Sequence, residues 1–310
     1  MLTGLSRTNE VTLKWALGIL LFTGLGYVAV RHTLHKTSSG PGECSPQFKK
    51  PENLTVGDFQ RPLDREFLAK FMKWDETRAA GWIDGMILLP FYDDVAKRQL
   101  SMGAVELTGT QRKDILRLVE ECADILDMPV PRVYIQPQDR LNALAGGFVD
   151  PVLVLDSRFL NENWNERQLR ALIGHELGHL KCRHSKLKAL VNIAIAHSPG
   201  GIAPLVFFSH LEWSREAEMS ADNAGLICSQ DLDACEQLQI CLLLNLGPKE
   251  ARRIDVDAFL AQRSKTKVSW YAEARHLLEE FTGTHPFAAD RINQLREYAA
   301  SDRYRNLWER

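Results

Sequence analysis

His175-Glu176-Leu177-Gly178-His179 is the segment of this 310-residue chain whose residue types and spacing point most directly at chemistry. On a helix, residues four apart share a face one turn apart, so both imidazoles reach toward one point. Two ring nitrogens placed in this way suit a zinc ion, and Glu176 beside them suits the deprotonation of a water held by that ion. Such a centre needs a third protein ligand and an open position for the water. The extended pattern HExxHxxGxxH would require glycine at 182 and histidine at 185. The chain has Cys182 and Ser185 instead, with His184 one residue out of register, so a third histidine of that kind is excluded. Downstream, Ser214 to Asp222 reads as a helix with few breakers. Glu218 and Asp222 stand four apart on it: Glu218 as third ligand, Asp222 as acceptor for the second nitrogen of a zinc-bound histidine. Glu212 and Glu216 compete for the ligand role, although neither has an aspartate four residues on. Cys182 reads as packing, or as a group behind the ligands, because a fourth protein ligand would close the position that water needs.

These side chains need elements to hold them. Asn165-Glu166-Arg167-Gln168 reads as a helix start, an N-cap residue followed three later by Gln. Leu169, Ile173, Leu177 and Leu180 then recur at helical spacing and form an apolar stripe, with the histidines well to one side. Ala171, Gly174 and Gly178 leave a thin side for a second backbone, and Ala221 and Gly225 offer the same on the downstream helix. Thr110 to Asp127 reads as a helix leading into a strand at Arg132–Gln136, with another strand at Val152–Asp156. Phe67, Leu68, Phe71 and Trp74 mark one face of a helix within 63–77, and Met86–Phe91 is an apolar patch. Helices at about 232–246, 250–264, 270–282 and 287–300 read as core and support. The pattern predicts a mostly helical α+β domain.

Four short elements together resemble the HtpX-like and CAAX prenyl endopeptidase group of membrane zinc metallopeptidases. The first is His175–His179, and the second runs from Ser214-Arg215 through Glu218 to Ala221-Asp222. The third is Asn142-Ala143-Leu144-Ala145 followed by Val152-Leu153-Val154-Leu155, and the fourth is Thr284-His285-Pro286 with Arg291-Ile292. The likeness spans residues 105–300, with the elements in the family's order. It implies a gluzincin fold, a catalytic helix pair beside a small sheet, with one zinc ion held by His175, His179 and Glu218. It further implies that Asn142, Ala143, Leu144 and Ala145 lie at the cleft edge and pair with extended substrate. His285 corresponds to a residue that helps stabilise the tetrahedral transition state. Fewer membrane segments are present here than in the multi-spanning members.

Trp15 to Val30 is a run of sixteen residues without a charge, bracketed by Lys14 and by Arg31 and His32. A spanning helix needs about 20 residues, so snorkelling flanks must extend this one. Trp15 and Tyr27 sit where interface anchors do. No small-x-small cleavage site follows closely, so the run reads as an uncleaved single-pass anchor. Arg31, Lys36, Lys49 and Lys50 after it, against Arg7 and Lys14 before it, place the catalytic domain on the cytoplasmic side. Six cysteines without a CxxC pair agree, reading as reduced thiols. The expected organisation is an anchor over 1–35, a Ser/Gly/Pro-rich linker over 36–62 and a zinc metalloprotease domain over 63–310. Residues 187–211 are apolar but broken by Ser198-Pro199-Gly200-Gly201, so they read as a hairpin over the cleft that touches lipid or plugs the site. The formal charge of −2 carries no footprint for nucleic acid.

The expected function is a membrane-anchored, zinc-dependent endopeptidase acting on unfolded or membrane-associated proteins, in quality control or in one processing step. Two alternatives stand beside it: a tethered, non-catalytic peptide-binding zinc protein, and a protease kept latent by 187–211. The intact Glu176 speaks against the first, since a scaffold has no need of a base there.

Overall fold

The computed structural model describes residues 48–77, 89–147, 150–161, 163–188, 203–265 and 288–310. All of them belong to one unit, 41–310. The expected anchor, the linker before residue 48, the helix at 270–282, most of the 187–211 hairpin and His285 lie outside the described residues. Among the described residues, no helix is long and apolar enough to cross a membrane.

Helices run over Pro62–Thr77 (α1), Leu89–Gly103 (α2), Lys113–Ile125 (α3), Glu166–Lys181 (α4), Ala203–Ser229 (α5), Leu232–Leu244 (α6), Val256–Lys265 (α7) and Ala288–Ala300 (α8). The strands are Val105–Leu107 (β1), Arg132–Gln136 (β2), Ala143–Gly146 (β3) and Val152–Asp156 (β4), in the sheet order β1-β2-β4-β3. The central strands β2 and β4 run parallel, while β1 and β3 flank them antiparallel. This is the expected mostly helical α+β fold with a small mixed sheet. Strands β2 and β4 take the predicted bounds because their β-branched and apolar runs are closed by Pro and Asp. Strand β1 was not anticipated, since three residues carry no readable period.

Helix α4 starts where its sequence says. Asn165 adopts an extended conformation, its side chain accepts from the Gln168 N–H, and Gln168 completes a capping box. Leu169, Ile173 and Leu177 are buried in the main core with α3 and the sheet. The opposite, thin side meets α5. A Cβ on Gly174 would stand 2.6 Å from Cys228 Cβ, one on Gly178 2.7 Å from Ala224 Cβ, and one on Gly225 2.6 Å from the Ala171 carbonyl oxygen. The two backbones therefore touch along α4 and α5, and only glycine fits at these points.

Residues 48–62 depart from the expected linker. Phe48, Leu54 and Phe59 are buried, and Thr55 and Asp58 form a capping box on a 3-10 turn, Val56–Asp58. Arg61 pairs with Glu216 of α5 at 2.5 Å. A few apolar side chains at irregular spacing anchor this stretch, and composition alone reads such a stretch as a tether.

Candidate metal centre

One turn apart on α4, His175 and His179 present their Nε2 atoms to each other at 3.2 Å. The Glu218 carboxylate of α5 closes the triangle: Oε2 is 3.4 Å from His175 Nε2, and Oε1 is 3.4 Å from His179 Nε2. Donors about 2.0–2.1 Å from a tetrahedral zinc stand about 3.3 Å from one another, so all three edges suit that ion. The three side chains are buried, and the Gly-lined seam holds their two helices at a fixed spacing.

Each donor is itself held. His175 Nδ1 lies 2.9 Å from Asp222 Oδ1, as the four-residue spacing from Glu218 anticipated. Asp222 is gripped by Arg291 of α8 through Nε (2.6 Å) and Nη2 (2.5 Å), and it also accepts from Gln239 of α6. The Arg291 Nη1 stands 3.7 Å from Glu218 Oε2. One guanidinium, 2% exposed, thus offsets two buried carboxylates that would otherwise repel. On the other donor, His179 Nδ1 lies 2.8 Å from His184 Nδ1, and His184 Nε2 lies 2.9 Å from Asp64 Oδ2 of α1. Lys188 adds a cation 3.5 Å from Glu218 Oε1.

These partners tune the ionisation. Burial by itself would lower the His175 imidazole, yet hydrogen bonds to Asp222 and Glu218 outweigh it and raise its pKa to about 9. At His179 burial wins against the pull of Glu218, and the pKa falls to about 3. Burial would raise both carboxyls. Interaction with His179, the Lys188 cation and hydrogen bonds to both histidines nevertheless hold Glu218 well below its ordinary range, and Arg291 holds Asp222 at about 2.

The competing ligand candidates fall elsewhere. Glu216 is engaged by Arg61, and Glu212 is exposed. Cys182 is buried at the end of α4, its thiol pKa pushed up by burial, and it takes no place among the three donors. Asn142 joins His175, Glu176, Leu238, Leu242 and Arg291 in lining a cavity of about 20 Å³, room for one water. Ala143, Leu144 and Ala145 form β3, a terminal strand of the sheet. The Asn142 carbonyl accepts from the Asp156 N–H (3.1 Å), which sets the ladder parity. The Ala143 and Ala145 main-chain groups therefore point away from β4; both residues are buried, and the Ala145 carbonyl accepts from the Ser185 hydroxyl at 3.0 Å.

Spacing in the sequence gives Asp64 and His184 no role, and it marks Arg291 only as part of a motif. The left-handed residue Arg183 (φ 59°) breaks α4 and folds His184 back onto His179, a reversal that helical spacing does not show.

The family model of peptidase family M48 matches residues 110–299, more than half of the chain. The chain belongs to peptidase family M48. It is thus a member of a metallopeptidase family, and its relatives include proteins named as HtpX homologs. It is 30% identical over 224 residues to the plastoglobule-localized metallopeptidase 48, chloroplastic, of Arabidopsis thaliana, covering 67% of this chain and 63% of that one. It is 29% identical over 127 residues to a Protease HtpX homolog of Streptococcus uberis, covering 40% of this chain and 42% of that one. Another Protease HtpX homolog, from Gemmatimonas aurantiaca, is 26% identical over 247 residues, covering 70% and 86%. The crystal structure of S. mikatae Ste24p matches at 16% identity with a TM-score of 0.39, over 69% of this chain and 53% of that chain. The chain spans less than two thirds of the first two of these relatives. Asp64 lies outside the stretch that the family model matches.

Proposed function

We propose that this protein is a zinc-dependent endopeptidase whose metal is held by His175, His179 and Glu218, and which cleaves unfolded or membrane-associated proteins. The observation that carries the reading is the triangle of three buried donors at 3.2, 3.4 and 3.4 Å with a glutamate next to the first histidine. A zinc ion in that triangle supplies Lewis acidity and a water whose pKa is lowered to about 7. Glu176 takes the proton from the attacking water and passes it to the leaving amine. Asp222, fixed by Arg291, keeps the proton of His175 on Nδ1 and so leaves Nε2 as the ligand atom. The edge of β3 that points away from β4 is the candidate to take an extended peptide as an added strand. The Ala143 N–H and carbonyl and the Ala145 N–H bond to its backbone, so recognition is largely independent of sequence. Such a groove suits unfolded segments. His285 is the candidate for stabilising the oxyanion. The apolar run 15–30 is the candidate single-pass anchor, with the catalytic unit on the cytoplasmic side of the bilayer.

The test is digestion of casein by zinc-loaded protein beside its Glu176→Gln variant. Cleavage by the wild type alone, with zinc at one per chain in both, supports the assignment. Equal cleavage by both would remove Glu176 as the base, and no cleavage by either would leave a peptide-binding zinc protein or a protease kept latent by 187–211.

A further inference from the structure

We propose that His184 and Asp64 form a positioning relay that sets the tautomer of His179, making helix α1 part of the metal centre. The inference rests on the zinc reading above. His179 turns Nε2 toward His175 and Glu218, so Nε2 is its ligand atom and must carry a lone pair. The neutral ring then keeps its proton on Nδ1 and needs an acceptor there. For His175 that acceptor is a carboxylate. For His179 it is another imidazole, His184 Nδ1 at 2.8 Å.

A histidine serves as acceptor at Nδ1 only when its own proton sits on Nε2. Asp64 enforces this. Its Oδ1 accepts from Trp213 Nε1, which can only donate (2.8 Å), and its Oδ2 accepts from His184 Nε2 at 2.9 Å. The direction of every proton follows: Trp213 to Asp64, His184 to Asp64, His179 to His184. Asp64 and His184 are 0% exposed, so water cannot substitute for either partner. Reversing one link would put a proton on His179 Nε2, where the metal must bind.

Asp64, Cys182 and His184 also place ligating atoms within 4.8 Å of one another. The 2.9 Å approach of Asp64 to His184 is nevertheless a hydrogen-bond distance, shorter than the roughly 3.3 Å edge between donors around a tetrahedral zinc. The cluster therefore reads as a relay and not as a second ion site.

The decisive variants are Asp64→Asn and His184→Gln, compared with the wild type for zinc affinity by chelator competition and for melting of the metal-free protein. In Asp64→Asn, the Trp213 N–H obliges the carbonyl of the new amide to face it, which turns the amide N–H₂ toward His184. His184 then protonates on Nδ1 and presents a donor to His179. Zinc affinity should fall by about 10–100-fold although the substitution is isosteric. A glutamine at 184 accepts from His179 with its oxygen and donates to Asp64 with its nitrogen, so His184→Gln should keep the affinity that His184→Leu loses. The absorption bands of the cobalt-substituted protein should shift in Asp64→Asn and His184→Leu and not in His184→Gln. Wild-type affinity in Asp64→Asn, or equal losses in His184→Gln and His184→Leu, would overturn the relay while leaving the peptidase reading intact. Two metals per chain, with a thiolate band from Cys182, would overturn it in favour of a second site. A wild type that binds no zinc would remove both.

Discussion

Replacing Gly178 by alanine tests how tightly the seam between α4 and α5 sets the metal centre. The new Cβ would stand 2.7 Å from Ala224 Cβ and 3.2 Å from Ala221 Cα. Carbon atoms ordinarily pack at about 3.5–4.0 Å, so the helices must part by about 1 Å. Alanine in a helix recovers about 1 kcal/mol relative to glycine, while the overpacking costs about 1–3 kcal/mol. The net loss of about 0–2 kcal/mol lowers the melting temperature by only a few degrees, at roughly 2–4 °C per kcal/mol. The metal responds far more strongly. His179 is the next residue on α4, and Glu218 and Asp222 flank Ala221 on α5, so the shift opens the donor triangle itself. Zinc ligand distances tolerate about 0.2 Å, and a 1 Å displacement should cost zinc affinity of about 10–100-fold or more, on the scale of lost supporting contacts. The assay is chelator competition on the refolded variant, with its melting curve alongside. Gly109→Ala is the control, because a Cβ there meets nothing within 4 Å. Wild-type zinc affinity in Gly178→Ala would refute the claim that the seam fixes the ligands.

Other consequences follow from the ionisation and the partners. Proton and metal compete for Nε2, so zinc affinity rises with pH. With His175 at about 9 and His179 at about 3, a single proton is displaced at mildly acid pH. Between about pH 5 and 6 affinity should rise about tenfold, whereas two ordinary histidines at about 6.5 would give roughly 60-fold, a rise that isothermal titration in matched buffers would expose. Arg291→Met should destabilise the metal-free protein by about 1.5–3 kcal/mol in urea unfolding, because Asp222 would lose two charge-assisted hydrogen bonds and keep only the His175 imidazolium as a cation; a loss under about 1 kcal/mol would contradict the pairing. Glu218→Gln should lower zinc content after dialysis and Glu216→Gln should not, since Glu216 serves Arg61; the reverse pattern would exchange their roles.

Much of the site could be read from spacing. His175 and His179 four apart, Glu218 and Asp222 four apart, and Gly174, Gly178 and Gly225 on facing sides are all local patterns, and a helix turns local patterns into geometry. Strand β4 was legible for the same reason. The relay through His184 and Asp64 was not. It depends on a left-handed residue at Arg183 and on a contact between positions 120 residues apart, neither of which has a period. Arg291 sat in a recognised motif, but its grip on Asp222 needs the packing of α8 against α5. Residues 48–62 depart from that pattern because the Ser/Gly/Pro-rich composition of 36–62 as a whole suggests a tether, while Phe48, Leu54 and Phe59 bind the stretch to the core.

The most direct measurement is crystal diffraction at the zinc absorption edge on protein dialysed with one equivalent of zinc. The expected result is one anomalous peak within about 2.0–2.2 Å of His175 Nε2, His179 Nε2 and a Glu218 oxygen. A peak seated on Asp64, Cys182 and His184 instead, or no ordered zinc at the triangle, would contradict the central claim.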